Sequence, residues 1–229
     1  MTREEWTREA EAQWTEMTNT FFPIDLIIGC IDPELGDQDS PNRYIDDLEK
    51  VQPKHLNGSF HAGLDVGKQV DHSVLAIIQR TDDKRRLAYK HQFPLETPYP
   101  DVIRHVAKAN QLFNFQRLLV DKTGIGDALV DEMREIGIEN AEGLFLTDRW
   151  KEEIFTYLKL LMEKKRLSIL GDDAQLITQI NEQQYEYKKP KTAQERIHLR
   201  FWHPKGRHDD QLFALALACY ASKEEKRAH

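Results

Sequence analysis

The order in which strand-like and helix-like segments follow one another constrains the fold of this chain most. Three strand-like segments come first, SFHAGLDV, SVLAIIQR and RRLAYKHQF, and a short turn at 81–84 joins the last two. Helix-like and apolar strand-like segments then alternate to about residue 222. This order predicts an α/β fold on a mixed sheet whose antiparallel strands come first, flanked by helices.

The second part of the chain is predicted in more detail from its periodicity. A helix at 101–113 precedes the strand RLLVD, and glycines at 124 and 126 then open the helix DALVDEMREIG. The strand EGLFL, the long helix WKEEIFTYLKLLMEKK, the short strand RLSIL and a helix from about 172 follow. The alternating segments QQYEYKK and RIHLRFW predict a basic β-hairpin that turns at about 190–195, before a last helix, DDQLFALALACYASKE.

The composition is that of an ordinary globular protein. Apolar residues make up 40% and charged residues 31% of 229 residues, a length that suits one substantial domain with an appendage. The two cysteines, Cys30 and Cys219, share no short metal-binding spacing, and no apolar run approaches the roughly 18 residues of a spanning helix. The acidic, helix-like start is unlike a signal peptide. We therefore expect an intracellular protein that is not secreted and enters no membrane.

The first 56 residues differ in character from the rest. Residues 2–20 show helical periodicity, FFPIDLI reads as a short extended piece, and the text up to about residue 51 is polar and rich in turn residues. We interpret 1–56 as a lead-in arm that packs on something else. The main domain is then expected at 57–229.

Charge is distributed unevenly along the chain, whose formal net charge is −7. Residues 1–50 carry a net −9, so the remainder sums to +2, and the segment 185–208 alone carries a net +5. A basic segment with interleaved aromatic residues suits phosphate contacts and base stacking, although a solvated hairpin with its aromatic residues in the core is the alternative. Its bases are Lys188, Lys189, Lys191, Arg196, Arg200, Lys205 and Arg207, and its aromatic residues are Tyr185, Tyr187, Phe201 and Trp202.

Two carboxylates occur in apolar strand-like segments. Asp65 interrupts HAGLDVG, where burial of a carboxylate is costly unless it is paired or binds a metal. Asp121 closes RLLVD, and the carboxyl ends of parallel strands are where α/β sites usually lie. The structural alternatives are that Asp65 caps the turn at Gly67 and that Asp121 caps the following helix.

A further pair of acids, Asp209 and Asp210, precedes the apolar last helix. Acidic residues are favoured at a helix start because they satisfy exposed backbone N–H groups and interact with the helix dipole, so one of the two is accounted for as an N-cap. Two acids exceed what one cap requires. Of the nine histidines, His208 beside this pair is the one that draws notice.

Taken together, the three acidic segments resemble those of the RNase H-like nucleases. The segments GLDVGKQVDHSVLAII, LLVDKTGIGDALVDEM and HDDQLFALALA are similar to the three acidic motifs in the nuclease domain of the terminase large subunit. That subunit is the DNA-packaging motor of tailed phages and herpesviruses. The resemblance spans roughly 57–222, and the last helix with its preceding basic hairpin is its most specific part.

The resemblance implies a site and a reaction. Asp65, Asp121 and Asp209 would be the catalytic residues that hold Mg²⁺ or Mn²⁺, with Asp210 in support, although which member of that pair binds the metal directly stays open. Asp71 matches an acid often present before the family's second strand. Two ions about 4 Å apart would promote hydrolysis of a phosphodiester in double-stranded DNA. Little sequence preference is expected, because no segment reads as a base-specific element.

The resemblance also implies partners and a setting. The family's full subunit carries an ATPase domain with Walker motifs, which this chain lacks, so 1–56 would be the linker from an absent ATPase domain. The expected partners are double-stranded DNA, that ATPase domain, the portal protein and the small terminase subunit. The expected location is the host cytoplasm during virion assembly.

Three alternatives remain open from the sequence. One is another RNase H-like DNA enzyme, such as a junction resolvase or a transposase core. A second is an actin-like ATPase, whose first hairpin also carries D-x-G but whose fold usually exceeds 300 residues. The third is a DNA-gripping or docking module without catalysis, in which the acids serve only as caps.

Overall fold

A six-stranded mixed sheet forms the centre of the fold in the computed structural model, which describes residues 20–40, 42–51, 56–67, 71–188 and 198–224. The strand order is β5-β4-β1-β2-β3-β6. β1 with β2 and β2 with β3 are antiparallel, whereas β1 with β4, β4 with β5 and β3 with β6 are parallel. The predicted mixed sheet, antiparallel first, is therefore confirmed. Its strands are β1 (Ser59–Asp65), β2 (Val74–Thr81), β3 (Lys84–Gln92), β4 (Arg117–Asp121), β5 (Ala141–Leu144) and β6 (Leu167–Ser168).

Helices flank this sheet, and a separate antiparallel hairpin precedes the last of them. The hairpin consists of β7 (Gln184–Lys188) and β8 (His198–Trp202), as predicted, although its turn at 190–195 lies outside the described residues. No helix in the described part of the chain is both long and apolar enough to cross a membrane. The helices are α1 (Ile24–Ile28), α2 (Tyr99–Phe113), α3 (Ala128–Glu135), α4 (Asp148–Glu163), α5 (Ala174–Asn181) and α6 (Asp210–Ala221).

Alternation along the strands divides the core into two layers. Leu118 and Val120 of β4 belong to the cluster packed against α2 and α3, while Leu119 belongs to the cluster that contains α4, α5 and α6. Side chains two residues apart on a strand share a face, so Asp121 lies on the α6 side of the sheet. By the same alternation Asp65 shares its face with Gly63, which packs against α6.

Helix α6 lies against the sheet with its backbone almost in contact with β1. All its residues, from Asp210 to Ala221, are buried, which accounts for a helix that is apolar on every side. A Cβ atom at Gly63 would lie 2.3 Å from the Ala214 carbonyl oxygen and 2.3 Å from the Ala218 amide nitrogen. Only glycine permits this approach, which brings the start of α6 next to the end of β1.

Replacement of Gly63 by Ala is expected to lower the free energy of unfolding by about 3 kcal/mol, because the added methyl group meets helix backbone that cannot rotate away. Urea denaturation measures the change. Gly36→Ala is the matched control, since its Cβ would make ordinary contacts, with the nearest atom at 3.7 Å. If both variants unfold at the same urea concentration as the wild type, the close packing of α6 on β1 is wrong.

The described residues before the sheet pack onto its α6 side. Phe21, Phe22 and Ile27 are buried in the same cluster as α4 and α6. The extended piece predicted for FFPIDLI is wrong: α1 begins directly after Pro23, because Ile24, Ile27 and Ile28 bury one helical face in this cluster. The helix predicted at 2–20 lies outside the described residues except for Thr20, which pairs with Gln184. The domain boundary at 56/57 stays a prediction.

Candidate metal centre

The acids of the three separate motifs line one cavity of about 350 Å³ at the edge of the sheet. β1 and β4 are parallel neighbours, with Leu64 opposite Val120, so the acids that end these strands lie side by side. The start of α6 contributes Asp209, Asp210 and Phe213 to the same cavity. The lining consists of Asp65, Val66, Gly67, Asp71, Asp121, Thr123, Gly124, His203, His208, Asp209, Asp210 and Phe213.

In the described part of the turn after β1, Asp65 does not cap the Gly67 amide. The Gly67 amide instead donates to the Ser73 hydroxyl oxygen at 3.1 Å. A Cβ at Gly67 would lie 2.1 Å from the Asp71 carbonyl oxygen, so glycine at this position lets the Asp71 backbone approach the strand end. Among the described residues, the half-buried Asp65 carboxylate forms no capping hydrogen bond in this turn.

Asp121 organises the loop that follows β4 rather than a helix. One oxygen of its carboxylate, Oδ1, accepts the Thr123 amide at 2.7 Å, and the Thr123 hydroxyl in turn accepts the Leu146 amide at 2.9 Å. The N-cap position of α3 is occupied by Asp127. The helix-capping alternative for Asp121 is therefore wrong, because its carboxylate closes a tight Asx turn at the strand end instead.

Asp209 occupies the N-cap position of α6 but forms no side-chain capping hydrogen bond. Gln179 of α5 caps the helix instead: its Oε1 accepts the amides of Gln211 at 2.8 Å and Leu212 at 3.3 Å. A buried side chain from another helix thus satisfies the exposed amides of the first turn. This arrangement leaves the Asp209 carboxylate available to the cavity.

Asp210 belongs to a second group of possible ligands with Asp71 and His208. Its Oδ2 accepts the His72 amide at 3.2 Å and lies 4.0 Å from Nδ1 of His208, which is 3.7 Å from Asp71. One ligand atom from each of Asp71, His208 and Asp210 lies within 4.8 Å of the others. Both members of the Asp209–Asp210 pair therefore face the centre.

Burial and mutual repulsion set the protonation of these acids. Burial raises the pKa of Asp65 well above its usual range, and Asp121, Asp210 and Asp209 raise it further, whereas Lys151 lowers it. Burial also raises the pKa of Asp209, which His203 and Lys151 counteract. Crowded carboxylates of this kind are stabilised by a cation among them. Hard oxygen donors without a thiolate fit Mg²⁺ or Mn²⁺.

The bases of the hairpin lie on its surface and most of those described are loosely paired. Lys188 contacts Asp148 at 3.0 Å, Arg200 contacts Glu186 at 3.6 Å, and Lys205 is exposed. Arg207 contacts Glu182 at 3.3 Å. Exposed pairs of this kind contribute little to stability, so these bases can exchange their partners for phosphates. The other three, Lys189, Lys191 and Arg196, lie outside the described residues.

The aromatic residues of the hairpin divide between core and surface. Phe201 is buried against Phe21 and Phe155, and Tyr185 is half-buried beside Phe21. Tyr187 and Trp202 remain 69% and 37% exposed. Both sequence interpretations are thus partly correct: Phe201 and Tyr185 join the core, whereas Tyr187, farther along the same face of the hairpin, and Trp202, on the opposite face, stay accessible to a ligand.

Two basic side chains near the acids were not predicted from the sequence. Nε2 of His203 lies 3.8 Å from the Asp209 carboxylate, and Nζ of Lys151 lies 4.9 Å from the centre of the Phe213 ring, in the cavity wall. Neither occurs in a recognisable motif. Lys151 is carried by a helix distant in sequence, so nothing local indicates its direction.

Comparison with known proteins places this geometry in context. The terminase large subunit of Thermus phage G20c is 27% identical over 224 residues, which are 97% of this chain and 42% of that protein. The crystal structure of the large terminase nuclease from thermophilic phage G20c with bound magnesium has a TM-score of 0.67 at 21% identity, covering 89% of this chain and 98% of that one. The HK97 bacteriophage large terminase gives 0.60 at 14% identity, covering 89% and 43%. No family model matches.

These comparisons test two predictions, the fold of the chain and its resemblance to the terminase large subunit. The chain has the fold of the large-terminase nucleases, so the predicted RNase H-like α/β fold is confirmed. The resemblance to the nuclease domain of the terminase large subunit, inferred from three acidic motifs, is confirmed as well. The chain spans 42% of the length of that curated relative.

Proposed function

From this shared fold we propose that the chain is a divalent-cation-dependent endonuclease. It cuts double-stranded DNA with little sequence preference during viral genome packaging, as the nuclease part of a terminase large subunit. The observation that carries the proposal is the convergence of acids from β1, β4 and α6 on one cavity, where no capping bond to a described residue accounts for Asp65 or Asp209. A divalent cation requires several carboxylate oxygens that are close together and not occupied in capping helices or turns.

Asp65, Asp121 and Asp209 are the proposed catalytic ligands, and Asp210 supports them through its bond to the His72 amide. Mg²⁺ or Mn²⁺ suits these oxygens, and two ions are expected. The related nuclease of phage G20c has been crystallised with magnesium, cobalt and zinc. When bound, such ions activate a water molecule and stabilise the departing 3′ oxygen. The protein supplies the geometry: two strand ends and one helix start hold the ligands in place.

The hairpin is the proposed DNA-positioning surface, because it brings exposed bases and two exposed rings to the segment directly before α6. The bases make sequence-independent contacts to phosphates, which agrees with cutting at many sequences. The proposed set is Lys188, Lys189, Lys191, Arg196, Arg200, Lys205 and Arg207.

The proposed setting follows from the same assignment. The ATPase domain of the same subunit, the portal protein and the small terminase subunit are the proposed protein partners. The protein would act in the host cytoplasm while virions assemble.

Cutting of an end-labelled linear duplex, beside a four-way junction of the same length, tests the proposed substrate. We expect a broad distribution of products from the duplex and no preference for the junction. Discrete bands would contradict the lack of sequence preference. Selective cutting of the junction would favour a resolvase, and a protein that binds both without cutting either would be a DNA-gripping module.

Metal binding has an expected thermal signature. Mn²⁺ at 100 times its Kd should stabilise the fold by about 2.7 kcal/mol, because it binds only the folded protein. For a chain of this size this raises the melting temperature by roughly 5 to 10 °C. Asp127→Asn, an exposed acid outside the cavity, should keep the whole shift.

Asp65→Asn should lose most of that shift yet melt no lower than the wild type in EDTA. The pKa of Asp65 is raised in the folded protein, so ionisation at neutral pH disfavours folding and stability rises as the pH falls through that pKa. The amide removes this penalty. A clear drop in EDTA would show that Asp65 makes a structural bond instead.

A further inference from the structure

Lys151 lies where the chain returns to the acidic edge of the sheet. β5 is parallel to β4, and Leu144 pairs with Asp121, so β5 ends beside the acids. Helix α4 begins four residues later, at Asp148, and the Leu146 amide bonded to Thr123 holds the connection against the Asp121 loop. The first turn of α4, which contains Lys151, therefore starts at the cavity.

The side chain of Lys151 is directed by an aromatic ring of that cavity. Its Nζ lies 4.9 Å from the centre of the Phe213 ring, within the range of a cation–π contact. Phe213 follows Asp209 by one helical turn and lines the same cavity. The positive charge reaches the acids, since it lowers the pKa of both Asp65 and Asp209.

Within the described part of the chain, Lys151 forms no ion pair, whereas Lys122 at the same edge is paired with Asp127. The Lys151 ammonium group is half-buried, with the Phe213 ring on one side and carboxylates nearby. Its position is therefore fixed, and it can bind a negatively charged ligand. Divalent cations bound to the carboxylates would neutralise the negative charge that otherwise attracts Lys151. A phosphate group at the centre then becomes its natural partner.

We propose that Lys151 is a substrate-contacting residue, whose ammonium group binds a non-bridging phosphate oxygen of the DNA strand held at the acids. The proposal rests on the nuclease function proposed above. A compact ammonium group suits a single phosphate oxygen as a point charge, in contrast to the hairpin bases, which are spread along a surface. Negative charge that accumulates on the phosphate during hydrolysis would strengthen the contact.

A simpler role for Lys151 would be to balance the charge of the acids. In that case a neutral residue would leave cleavage unchanged in the presence of metal, because bound cations balance the acids instead. A phosphate contact gives the opposite result: cleavage falls while metal binding persists. Metal binding at the acids should even gain slightly, since a repelling positive charge is removed.

The test compares duplex cleavage in Mn²⁺ with the Mn²⁺-induced rise in melting temperature for the same proteins. We expect Lys151→Met to lower kcat by about 10²-fold, with a melting shift at least as large as that of the wild type. Lys151→Arg should recover cleavage to within about tenfold of the wild type, because it keeps the charge but not the shape. Lys159→Met is the matched control: Lys159 lies on the same helix with its Nζ 4.5 Å from the Phe21 ring, and should cut like the wild type.

The outcomes separate the two proposals. If the wild type cuts and Lys151→Met cuts within threefold of it, the phosphate contact is wrong while the nuclease function stands. Loss of both cleavage and the melting shift in Lys151→Met would also overturn it, because Lys151 would then only support the metal centre. Lys151→Gln is judged by the same criteria if the Met variant does not fold. A wild type that cuts no duplex overturns the nuclease function and this contact together.

Discussion

Cleavage of duplex DNA in Mn²⁺ is expected to fall by at least about 10³-fold when Asp121 or Asp209 is replaced by Asn. Each residue supplies one carboxylate to a cavity where acids from three segments meet, so its loss displaces the cations rather than weakening a single bond. Initial rates on a linear duplex at saturating Mn²⁺ measure the effect. Asp210→Asn should lose less, because Asp210 is the supporting member of the pair.

The control for these variants is Asp127→Asn. Asp127 lies on the same β4–α3 connection as Asp121, but its side chain is 69% exposed and pairs with Lys122. It should cut at the wild-type rate. The assignment of the ligands is wrong if any two of Asp65→Asn, Asp121→Asn and Asp209→Asn keep cleavage within tenfold of the wild type.

DNA affinity is expected to fall about 10²-fold at 0.1 M salt when Lys188, Lys189 and Arg200 are replaced together by Ala. Each base that neutralises a phosphate contributes about −0.9 to the slope of log K against log salt. The slope should therefore flatten by up to about 2 to 3 units. The loss should be similar on unrelated sequences, because phosphate contacts carry no sequence information. A fluorescence titration in EDTA at several salt concentrations measures both quantities.

The matched control removes equal charge from the far end of α4. Lys164 and Lys165 follow this helix of 16 residues, which places them roughly 24 Å from its first turn. With Arg166, they should contribute little to the slope when replaced by Ala. If the hairpin variant keeps its slope and this control loses it, the DNA surface lies at 164–166 and the hairpin assignment is wrong. In either variant the Mn²⁺-induced melting shift should persist, because the carboxylates are untouched.

Much of the fold could be predicted because its signals are local. Short apolar, strand-like runs bounded by turn residues identify β1 to β4, and the long apolar helix α6 is evident from its composition. Asp121 could be expected at a site because acids at the carboxyl ends of parallel strands usually lie at one, whereas the resemblance was needed to place Asp65 beside it. The position of Asp209 beside them required the resemblance, since periodicity alone does not say against which strand α6 packs.

The parts that could not be predicted depend on contacts between distant segments. The cap of α6 comes from Gln179, 32 residues before Gln211, and nothing local to α5 indicates that its side chain accepts those amides. Local reasoning therefore assigns the cap to Asp209. The direction of Lys151 depends on how α4 is rotated against Phe213, which follows from tertiary packing. Similarly, α1 is helical because it buries its isoleucines in a core formed by distant segments, which the local sequence of α1 does not reveal.

The central claim is that acids of β1, β4 and α6 form one cation-dependent nuclease centre. Supercoiled plasmid incubated with the wild type and with Asp65→Asn, in Mn²⁺, Mg²⁺ or EDTA, tests it most directly. Nicked and linear products are expected only from the wild type, and only with Mn²⁺ or Mg²⁺. Cutting in EDTA, or equal cutting by Asp65→Asn, would contradict the claim. A plasmid that the wild type leaves intact in both Mn²⁺ and Mg²⁺ would also contradict it.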